Sequence, residues 1–321
     1  MEIYRYQVVS CDTLSKDARF GLRYRCEDDR LRESVRLHGV MLPITVTHHG
    51  QYVLSGHKRL AAAHGIGLRE IGVLEINEDW DERDCFIYAI ASNLNHIWTD
   101  IDRAMTLKKA VACFHMNEKE IIEGIFPLIG LPAGRKVFQE YHETAHLDKM
   151  LLDAIADEKM PFQGGYVLTK MGSANQQYFA KYVVENAALT VNELMKIGEW
   201  LSDMIEVESD ENSLKSFVEA KGLNTILNQS NSERRQRGEK FYRAIQGLRF
   251  PRFVAYDETF KDVAHLICDK CDGLKVDAFP SYEETGYKIS AHIKDRKSLE
   301  NIMGQLQCKK SLLNSLFDIK L

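Results

Sequence analysis

The stretch Tyr52–Gly67, YVLSGHKRLAAAHGIG, decides the fold of the N-terminal part of this chain. Its apolar beginning predicts a β-strand, and the alanine-rich run that follows predicts an α-helix from Lys58 to His64. Ser55 and Gly56 form the turn between them, and a histidine, a lysine and an arginine stand at the start of the helix. The backbone N–H groups of a helix's first turn have no partner within the helix and carry partial positive charge. The stretch therefore predicts an anion site.

The residues of this turn suit a phosphate group in particular. Gly56 has no Cβ, so the backbone can approach a phosphate closely. The guanidinium of Arg59 can bind two phosphate oxygens at once, whereas the ammonium of Lys58 acts as a point charge. His57 is also consistent with a simple turn residue. We predict that the four residues Gly56–Arg59, called the Gly56–Arg59 box below, hold phosphate.

The neighbouring residues predict a small α/β layer. A helix capped by Asp28 or Asp29 carries Leu31 and Val35 on one face and stops at Gly39. Strands are predicted at 42–46, 52–54 and 70–76, and a helix lies between the last two. Alternation of short strands with helices favours an α/β layer up to about residue 81.

The rest of the chain predicts two further domains. Residues 82–227 show helical spacing almost throughout, and residues 228–321 combine a basic helix with a small α+β domain. In that last domain, RFVAY (252–256), LKVDAFP (274–280) and GYKISAHI (286–293) are predicted as the β part, around helices at 258–269 and 295–306. The expected fold class is therefore multidomain: α/β (1–81), all-α (82–227) and α+β (228–321).

Composition excludes several classes of protein. With 321 residues, 45% of them apolar, the chain can bury more than one core, and its net charge is -5. No apolar run approaches the roughly 20 residues of a membrane span, and the N-terminus lacks a signal-peptide pattern. Seven scattered cysteines favour reduced thiols, and the Cys268–Cys271 CxxC has no second pair for a zinc ribbon. We expect a cytoplasmic protein without a membrane or a structural metal.

Charge is concentrated in one segment. Residues 234–252, RRQRGEKFYRAIQGLRFPR, hold seven basic residues and one acid, a net charge of +6. Such a segment is either a solvated helix face or a surface that contacts phosphates.

The order of these elements resembles the N-terminal domain of the ParB/sulfiredoxin superfamily, and in particular ParB-like partition proteins of the Spo0J/Noc type. The likeness covers Leu22–Ile76 and rests on Gly39, the LPITV strand, the Gly56–Arg59 box and the EIGVLEI strand. It continues more weakly through ASNLNHIWTDIDRAMTLKKAV (91–111). Residues 116–155 then stand where ParB proteins carry a helix-turn-helix.

The resemblance implies a nucleotide-binding first domain, with CTP favoured over other nucleoside triphosphates and with Mg²⁺ as companion ion. Carried over by position, the triphosphate would be held by the Gly56–Arg59 box, which comprises Gly56, His57, Lys58 and Arg59. Asn93 would lie near the metal and the phosphates, and Arg23 or Arg25 would reach the same pocket. Ser92 and His96 replace an acid and an arginine of the family pattern, so at most weak CTP hydrolysis is expected and no catalytic residue is assigned.

The resemblance also implies partners. ParB proteins clamp DNA as dimers, so we expect DNA, a homodimer and a ParA-like ATPase as partners. The residues predicted to contact DNA lie in the second helix of the helix-turn-helix-like region and in the basic segment: Arg135, Lys136, Arg234, Arg235, Arg237, Lys240 and Arg243.

Other chemistries compete with this interpretation. A free-serine kinase of the same superfamily is the alternative, with Glu27 or Glu33 as base. Sulfiredoxin chemistry lacks its nucleophile, because His57 stands at the position of the cysteine. The string His142–His146 matches the zinc motif HExxH, yet its charged neighbours favour two surface histidines. The acids at 79–84 are more typical of a loop than of a nuclease site.

Overall fold

The computed structural model of the protein describes residues 4–14, 18–47, 52–76, 80–208, 213–269, 273–278 and 286–319. The chain divides into two compact units, an N-terminal unit Met1–Gly238 and a C-terminal unit Glu239–Leu321. The N-terminal unit holds both the α/β layer and the helical segment that the sequence separates at residue 81. The domain limits at 81 and 227 stay predictions.

A four-stranded sheet forms the α/β layer, in the order β1-β4-β2-β3. Its strands are β1 (Tyr4–Ser10), β2 (Ile44–Val46), β3 (Val53–Ser55) and β4 (Glu70–Ile76). β2 runs parallel to β4, whereas β1 is antiparallel to β4 and β3 is antiparallel to β2. The predicted strands β2, β3 and β4 are confirmed, with ends shifted by one or two residues.

Two helices pack beside this sheet. Helix α1 (Asp29–His38) is capped by Asp28, and α2 (His57–Gly65) follows β3 directly, so the predicted helices are confirmed. The apolar face of α2 and the strands share a core that includes Ile44, Val53, Leu60 and Val73, and α1 packs against α2. The turn between β3 and α2, which carries the Gly56–Arg59 box, is thereby fixed from both sides.

The remainder of the N-terminal unit is helical, as predicted. The helices are α3 (Glu82–Ala91), α4 (Asp100–Ala112), α5 (Glu118–Glu120), α6 (Phe126–Ile129), α7 (Arg135–Thr144), α8 (Lys149–Ala156), α9 (Phe162–Leu168), α10 (Ser173–Tyr178), α11 (Val191–Glu208), α12 (Leu214–Ala220) and α13 (Asn224–Leu227). Single π-helical turns lie at Ile121–Ile125 and Phe179–Val184. A second core joins Leu54 of β3 to Phe86, Leu107, Phe114 and Phe126. The helices therefore continue the α/β layer.

Helix α14 (Arg234–Arg249) contains the boundary between the two units, at Gly238. The C-terminal unit then contains α15 (Pro251–Cys268), β5 (Leu274–Ala278), β6 (Tyr287–Ala291), α16 (Arg296–Cys308) and α17 (Lys310–Ser315). β5 and β6 form an antiparallel pair, so the strands predicted at 274–280 and 286–293 are confirmed at 274–278 and 287–291.

The strand predicted for 252–256 is wrong, because these residues form the first turns of α15. Pro251 lies at the start of this helix, where its missing N–H is not needed, and Phe260, Ala264 and Ile267 are buried at helical spacing. A short aromatic and β-branched run does not by itself distinguish a strand from a helix. Within the described ranges, no helix is long and apolar enough to cross a membrane.

Candidate functional site

A cleft of about 1610 Å³ opens in the N-terminal unit. Its walls come from the start of α2, from residues 20–28, from the loop and helix start at 93–103, and from helix ends near 155–162 and 188–191. All seven residues that the sequence assigns to a nucleotide line this one cleft: Arg23, Arg25, Gly56, His57, Lys58, Arg59 and Asn93. The structure therefore brings together residues from positions 23 to 93 of the chain.

Gly56 makes the turn from β3 into α2 in a conformation that only glycine adopts readily. Its φ is 101°, and a Cβ at this position would lie 2.5 Å from Cγ2 of Ile44. As the N-cap residue of α2 it has no side chain to accept a hydrogen bond from the first turn. The backbone at the start of α2 thus lines the cleft without a side-chain cap of its own.

Lys58 forms a loose ion pair with Asp28 across the cleft wall. Its Nζ lies 3.5 Å from Oδ2 of Asp28, and the two side chains are 39% and 37% exposed. The other carboxylate oxygen of Asp28 accepts the backbone N–H of Leu31 and so caps α1. That backbone hydrogen bond, followed by the charge of Lys58, lowers the pKa of Asp28 from its ordinary value. The contact between Lys58 and Asp28 is open to solvent.

Arg59 is held rigidly beside Gly56. Its Nη1 donates to the carbonyl oxygens of Leu42 and Pro43, both at 2.7 Å. Its Nη2 lies 3.1 Å from the position that a Cβ of Gly56 would occupy. Because the guanidinium is partly buried, desolvation lowers the pKa of Arg59 from its ordinary value. A desolvated cation of this kind gains most from an anionic partner.

Arg23 belongs to a buried pair. Its Nη1 lies 2.9 Å from Oδ2 of Asp102 and donates to the carbonyl oxygen of Ile97, while the guanidinium lies 5.2 Å from the Trp98 ring centre. The side chains of Arg23 and Asp102 are 17% and 7% exposed. The other oxygen of Asp102 accepts the backbone N–H of Tyr24 at 2.7 Å. This pair fixes the segment 22–25 against α4.

Arg25 pairs with Asp153 of α8 and with Asp157, which directly follows that helix. Its Nη2 lies 3.1 Å from Asp153 and 2.9 Å from Asp157, and its side chain is 53% exposed. The hydroxyl of Tyr24 donates to Asp153 at 2.9 Å. Burial, together with this hydrogen bond and the charge of Asp153, raises the pKa of Tyr24 to about 12. Arg25 therefore connects the cleft wall with α8 through a partly solvated contact.

Asn93 follows the end of α3. Its Nδ2 donates to the carbonyl oxygen of Ala89 at 2.8 Å and lies 3.3 Å from the hydroxyl oxygen of Ser92. His96, which stands where the family pattern has an arginine, also lines the cleft. The side-chain nitrogen of Asn93 is thus engaged with its own helix, and its side-chain oxygen is the group that remains for a ligand.

The sequence did not point to Asp28, Asp102 or Tyr24 as parts of this site. In the sequence, Asp28 is explained by its role as a helix cap. Asp102 is explained as an acid in the first turn of a helix, where acids are common. Nothing in a single sequence shows that Asp102 is buried against Arg23, because the two lie 79 positions apart. Only the fold reveals that each cation of the cleft has a partner of its own.

The residues predicted to contact DNA lie on α7 and α14. Arg135 and Lys136 are exposed at the start of α7, and Arg135 lies 3.5 Å from Glu118. Lys240 and Arg243 are exposed on α14. None of these four lines the cleft.

The three arginines in the first turn of α14 donate to acceptors of their own chain. Arg234 donates to the carbonyl oxygen of Val184 at 2.6 Å, and Arg237 donates to that of Asn186 at 2.6 Å. Arg235 binds both carboxylate oxygens of Glu193, at 2.5 and 2.9 Å. Hydrogen bonding by Arg235 lowers the pKa of Glu193 to about 2. The assignment of these three arginines to DNA stays a prediction.

The geometry gives less support to the kinase bases and to the HExxH zinc motif. Neither Glu27 nor Glu33 lines the cleft, and Glu33 is an exposed residue paired with Arg36. The rings of His142 and His146 lie 4.8 Å apart, yet the described residues contain no group of three or more His, Cys, Asp or Glu side chains that could hold a metal ion. Cys271 and Asp79 lie outside the described residues.

The chain matches no known protein-family profile and no curated protein. Among solved structures, it is similar to the C-terminally truncated chromosome-partitioning protein ParB from Caulobacter crescentus in complex with the centromeric parS site. The two chains are 16% identical over 60% of this chain and 98% of that chain, with a TM-score of 0.36. The same protein in complex with CTP-γ-S gives 18% identity, 55% and 97% coverage and a TM-score of 0.26. A Pnob8-like ParB-N domain gives 16% identity, 76% and 97% coverage and a TM-score of 0.38.

Proposed function

We propose that the cleft of the N-terminal unit binds a nucleoside triphosphate, with CTP favoured, and that the chain is a ParB-like protein that associates with DNA in partition or in the maintenance of a mobile element. The observation that carries the proposal is that the seven residues assigned to a nucleotide by the sequence and its resemblance to ParB proteins all line one cleft. Four of them form the Gly56–Arg59 box at the start of α2, where backbone N–H groups and positive charge favour an anion.

The contacts of the four cationic residues assigned to the nucleotide suggest different roles for them. Lys58 and Arg25 are paired with acids that water also reaches, and exposed pairs of this kind contribute roughly 0–1 kcal/mol. A triphosphate can therefore displace these partners. Arg23 is bound to buried Asp102, and separating that pair would leave a buried charge without a partner. We infer that Arg23 shapes the cleft and that Lys58, Arg25 and Arg59 contact the ligand.

A Mg²⁺ ion, if it accompanies the triphosphate, would be held mainly by the phosphates and by the side-chain oxygen of Asn93. Ser92 supplies no carboxylate at this place. Mg²⁺ would neutralise phosphate charge in the cleft. The absence of an acid at position 92 fits a site that binds a nucleotide and hydrolyses it weakly at most.

Isothermal titration calorimetry tests the nucleotide proposal. The wild-type chain should bind CTP more tightly than ATP, GTP or ADP in the presence of Mg²⁺. Lys58→Ala and Arg59→Ala should each weaken CTP binding at least tenfold, because each removes a charge-assisted contact to phosphate. Arg36→Ala is the matched control, since Arg36 is an exposed helix arginine outside the cleft. Unchanged affinity in both box variants would remove the box from the site.

The same titration separates the alternative function. A free-serine kinase requires the triphosphate and free serine together, and it produces phosphoserine, which mass spectrometry detects. Binding of CTP without phosphoserine supports the ParB-like proposal. Phosphoserine formed from ATP would replace that proposal with the kinase.

We propose that DNA phosphates contact the exposed cations Arg135, Lys136, Lys240 and Arg243. Duplex binding should then weaken steeply as salt rises, because each neutralised phosphate releases counterions. The double variant Arg135→Ala/Lys136→Ala should lose about two phosphate contacts, so the slope of log K against log salt should become less steep by about two. Absence of binding at low salt would leave these residues as ordinary surface. The homodimer and the ParA-like ATPase stay predictions from the resemblance.

A further inference from the structure

Glu158 lines the cleft in a backbone conformation that residues with a side chain rarely adopt. Its φ is 57°, in the left-handed region, and it follows Asp157, the residue that caps the end of α8. Its backbone N–H donates to the carbonyl oxygen of Ile155, and the N–H of Lys159 donates to that of Ala154. Glycine is the usual residue at such a helix end, because a Cβ strains the left-handed conformation. The side chain of Glu158 is therefore explained by something other than local stability.

The carboxylate of Glu158 differs from the other acids of the cleft. Asp28, Asp100 and Asp102 also line the cleft, and each of them has a cationic partner. Among the residues that the structure describes, no ion pair or side-chain hydrogen bond engages the carboxylate of Glu158, and the residue is exposed. Its two oxygens are thus free to accept hydrogen bonds from a ligand.

The cleft wall next to Glu158 in the chain is mainly apolar. Three of its side chains line the cleft and are buried, with exposures of 8%, 3% and 5%: Ile155, Met160 and Phe162. The one cation of this wall, Lys159, lies 3.1 Å from Glu185 and so has a partner already. Apolar surface with a single placed acceptor suits a flat ring that carries an N–H donor, because ligand sites combine apolar walls with a few orienting polar groups.

This wall and the start of α2 fit opposite ends of a nucleotide. Lys58 and Arg59, which we propose for the phosphates, belong to the start of α2, where backbone N–H groups add positive charge. A phosphate beside Glu158 would meet a carboxylate without a cation to offset it. The base is therefore the part of the nucleotide that fits the wall with Glu158.

We propose that Glu158 accepts a hydrogen bond from the exocyclic amino group of the base, and that this contact selects CTP over UTP. The inference rests on the proposed function, because it names what the same cleft recognises. A carboxylate only accepts hydrogen bonds. Cytosine carries an amino donor at N4, whereas uracil carries a carbonyl oxygen at that position. Glu158 thus attracts cytosine and repels uracil.

Calorimetric titration of the full chain with CTP and UTP, both with Mg²⁺, tests this contact. The two nucleotides carry the same triphosphate, so the ratio of their dissociation constants cancels the contribution of the phosphates. The wild type should bind CTP at least about tenfold more tightly than UTP, because a hydrogen bond to a charged group is made with one base only. In Glu158→Gln the ratio should fall to within about threefold, because an amide accepts from cytosine and donates to uracil equally well.

Two further variants exclude a folding defect and a general effect of charge. Glu158→Gly removes the carboxylate and supplies the residue that the helix end favours. It should resist urea at least as well as the wild type, while its preference for CTP over UTP falls. Glu199→Gln removes an exposed acid of α11 that does not line the cleft, and this matched control should keep the wild-type ratio.

The outcomes separate this inference from the proposed function. A wild-type chain that binds neither CTP nor any other triphosphate would remove the proposed function, and the inference with it. A wild-type chain that binds CTP and UTP alike would overturn the inference alone. The inference is also overturned if both Glu158 variants change the two affinities by the same factor, which would assign the carboxylate to the phosphates or their ion.

Discussion

The basic clusters at the starts of α2 and α14 differ in the partners that the fold gives them. At the start of α2, Lys58 and Arg59 line an open cleft. Arg59 donates to the carbonyl oxygens of Leu42 and Pro43, whereas Lys58 is paired with the solvated carboxylate of Asp28. At the start of α14, Arg234, Arg235 and Arg237 donate to acceptors within the protein.

The difference lies in the acceptors that surround each cluster. The carbonyl oxygens that accept hydrogen bonds from the arginines of α14 lie at the end of the π-helical turn Phe179–Val184 or just after it. The last carbonyl groups of a helical segment have no partner within it and carry partial negative charge. Arginines of α14 satisfy the carbonyl oxygens of Val184 and Asn186. At the start of α2, carbonyl oxygens accept from Arg59, but the partner of Lys58 is a solvated carboxylate that a ligand can replace. A local count of charges therefore does not identify an anion site; the supply of acceptors from the rest of the fold does.

Gly238→Ala tests the tight contact at the start of α14 and should have the largest effect on stability. A Cβ at position 238 would lie 2.1 Å from the carbonyl oxygen of Ala188, so backbone must move. We expect a loss of about 2–3 kcal/mol in the free energy of unfolding, measured by urea denaturation. The control is Gly247→Ala on the same helix, where no atom lies within 4 Å of the added Cβ. It should be neutral or stabilising by up to about 1 kcal/mol. Equal losses would show that α14 is not packed as described.

Glu193→Gln tests the ion pair of α14 through its dependence on pH. Because the pKa of Glu193 falls from an ordinary 4.5 to about 2 in the folded chain, its stabilisation is present in full above about pH 5 and is lost as the pH falls toward 2. Since the side chain of Arg235 is 42% exposed, solvent screens the pair, and the variant should lose about 1–2 kcal/mol at pH 7. The difference between the wild type and the variant should shrink between pH 4.5 and 3. A difference that does not vary with pH would contradict a charged pair.

Lys58→Ala should affect stability least. Its contact with Asp28 is 3.5 Å long and exposed, so the free energy of unfolding should change by less than about 0.5 kcal/mol, while CTP affinity falls. Arg234→Ala should show the reverse, with a loss of about 1–2 kcal/mol and unchanged CTP affinity, because it removes donors to buried carbonyl groups. If both variants changed the same quantity, the two clusters would not differ as the structure indicates.

The α/β layer could be predicted from sequence because its signals are local. Alternating strand and helix patterns, the cap at Asp28 and the turn glycine at Gly56 each act within a few residues. β1 was missed although YRYQV at 4–8 alternates apolar and polar residues. The apolar residues of this alternation, Tyr4, Tyr6 and Val8, are exposed, so the pattern does not mark a side that faces the core.

The partners of the site could not be predicted in the same way. Seven residues of the cleft were predicted from the sequence and the resemblance, but the pairs of Arg23 with Asp102 and of Arg25 with Asp153 join positions 79 and 128 residues apart. The same holds for α14, whose acceptors lie near residue 186. Long-range pairing depends on packing, which periodicity does not encode.

The most direct test of the account is the CTP affinity of Asp28→Asn compared with that of the wild type. Asparagine caps a helix as well as aspartate does, so α1 keeps its cap while the charge that competes for Lys58 is removed. Asp81→Asn, which changes the cap of α3 outside the cleft lining, is the control. Calorimetry should show CTP binding several-fold tighter in Asp28→Asn and unchanged in the control. Unchanged or weaker binding in Asp28→Asn would contradict the claim that an anion takes the place of this carboxylate beside Lys58.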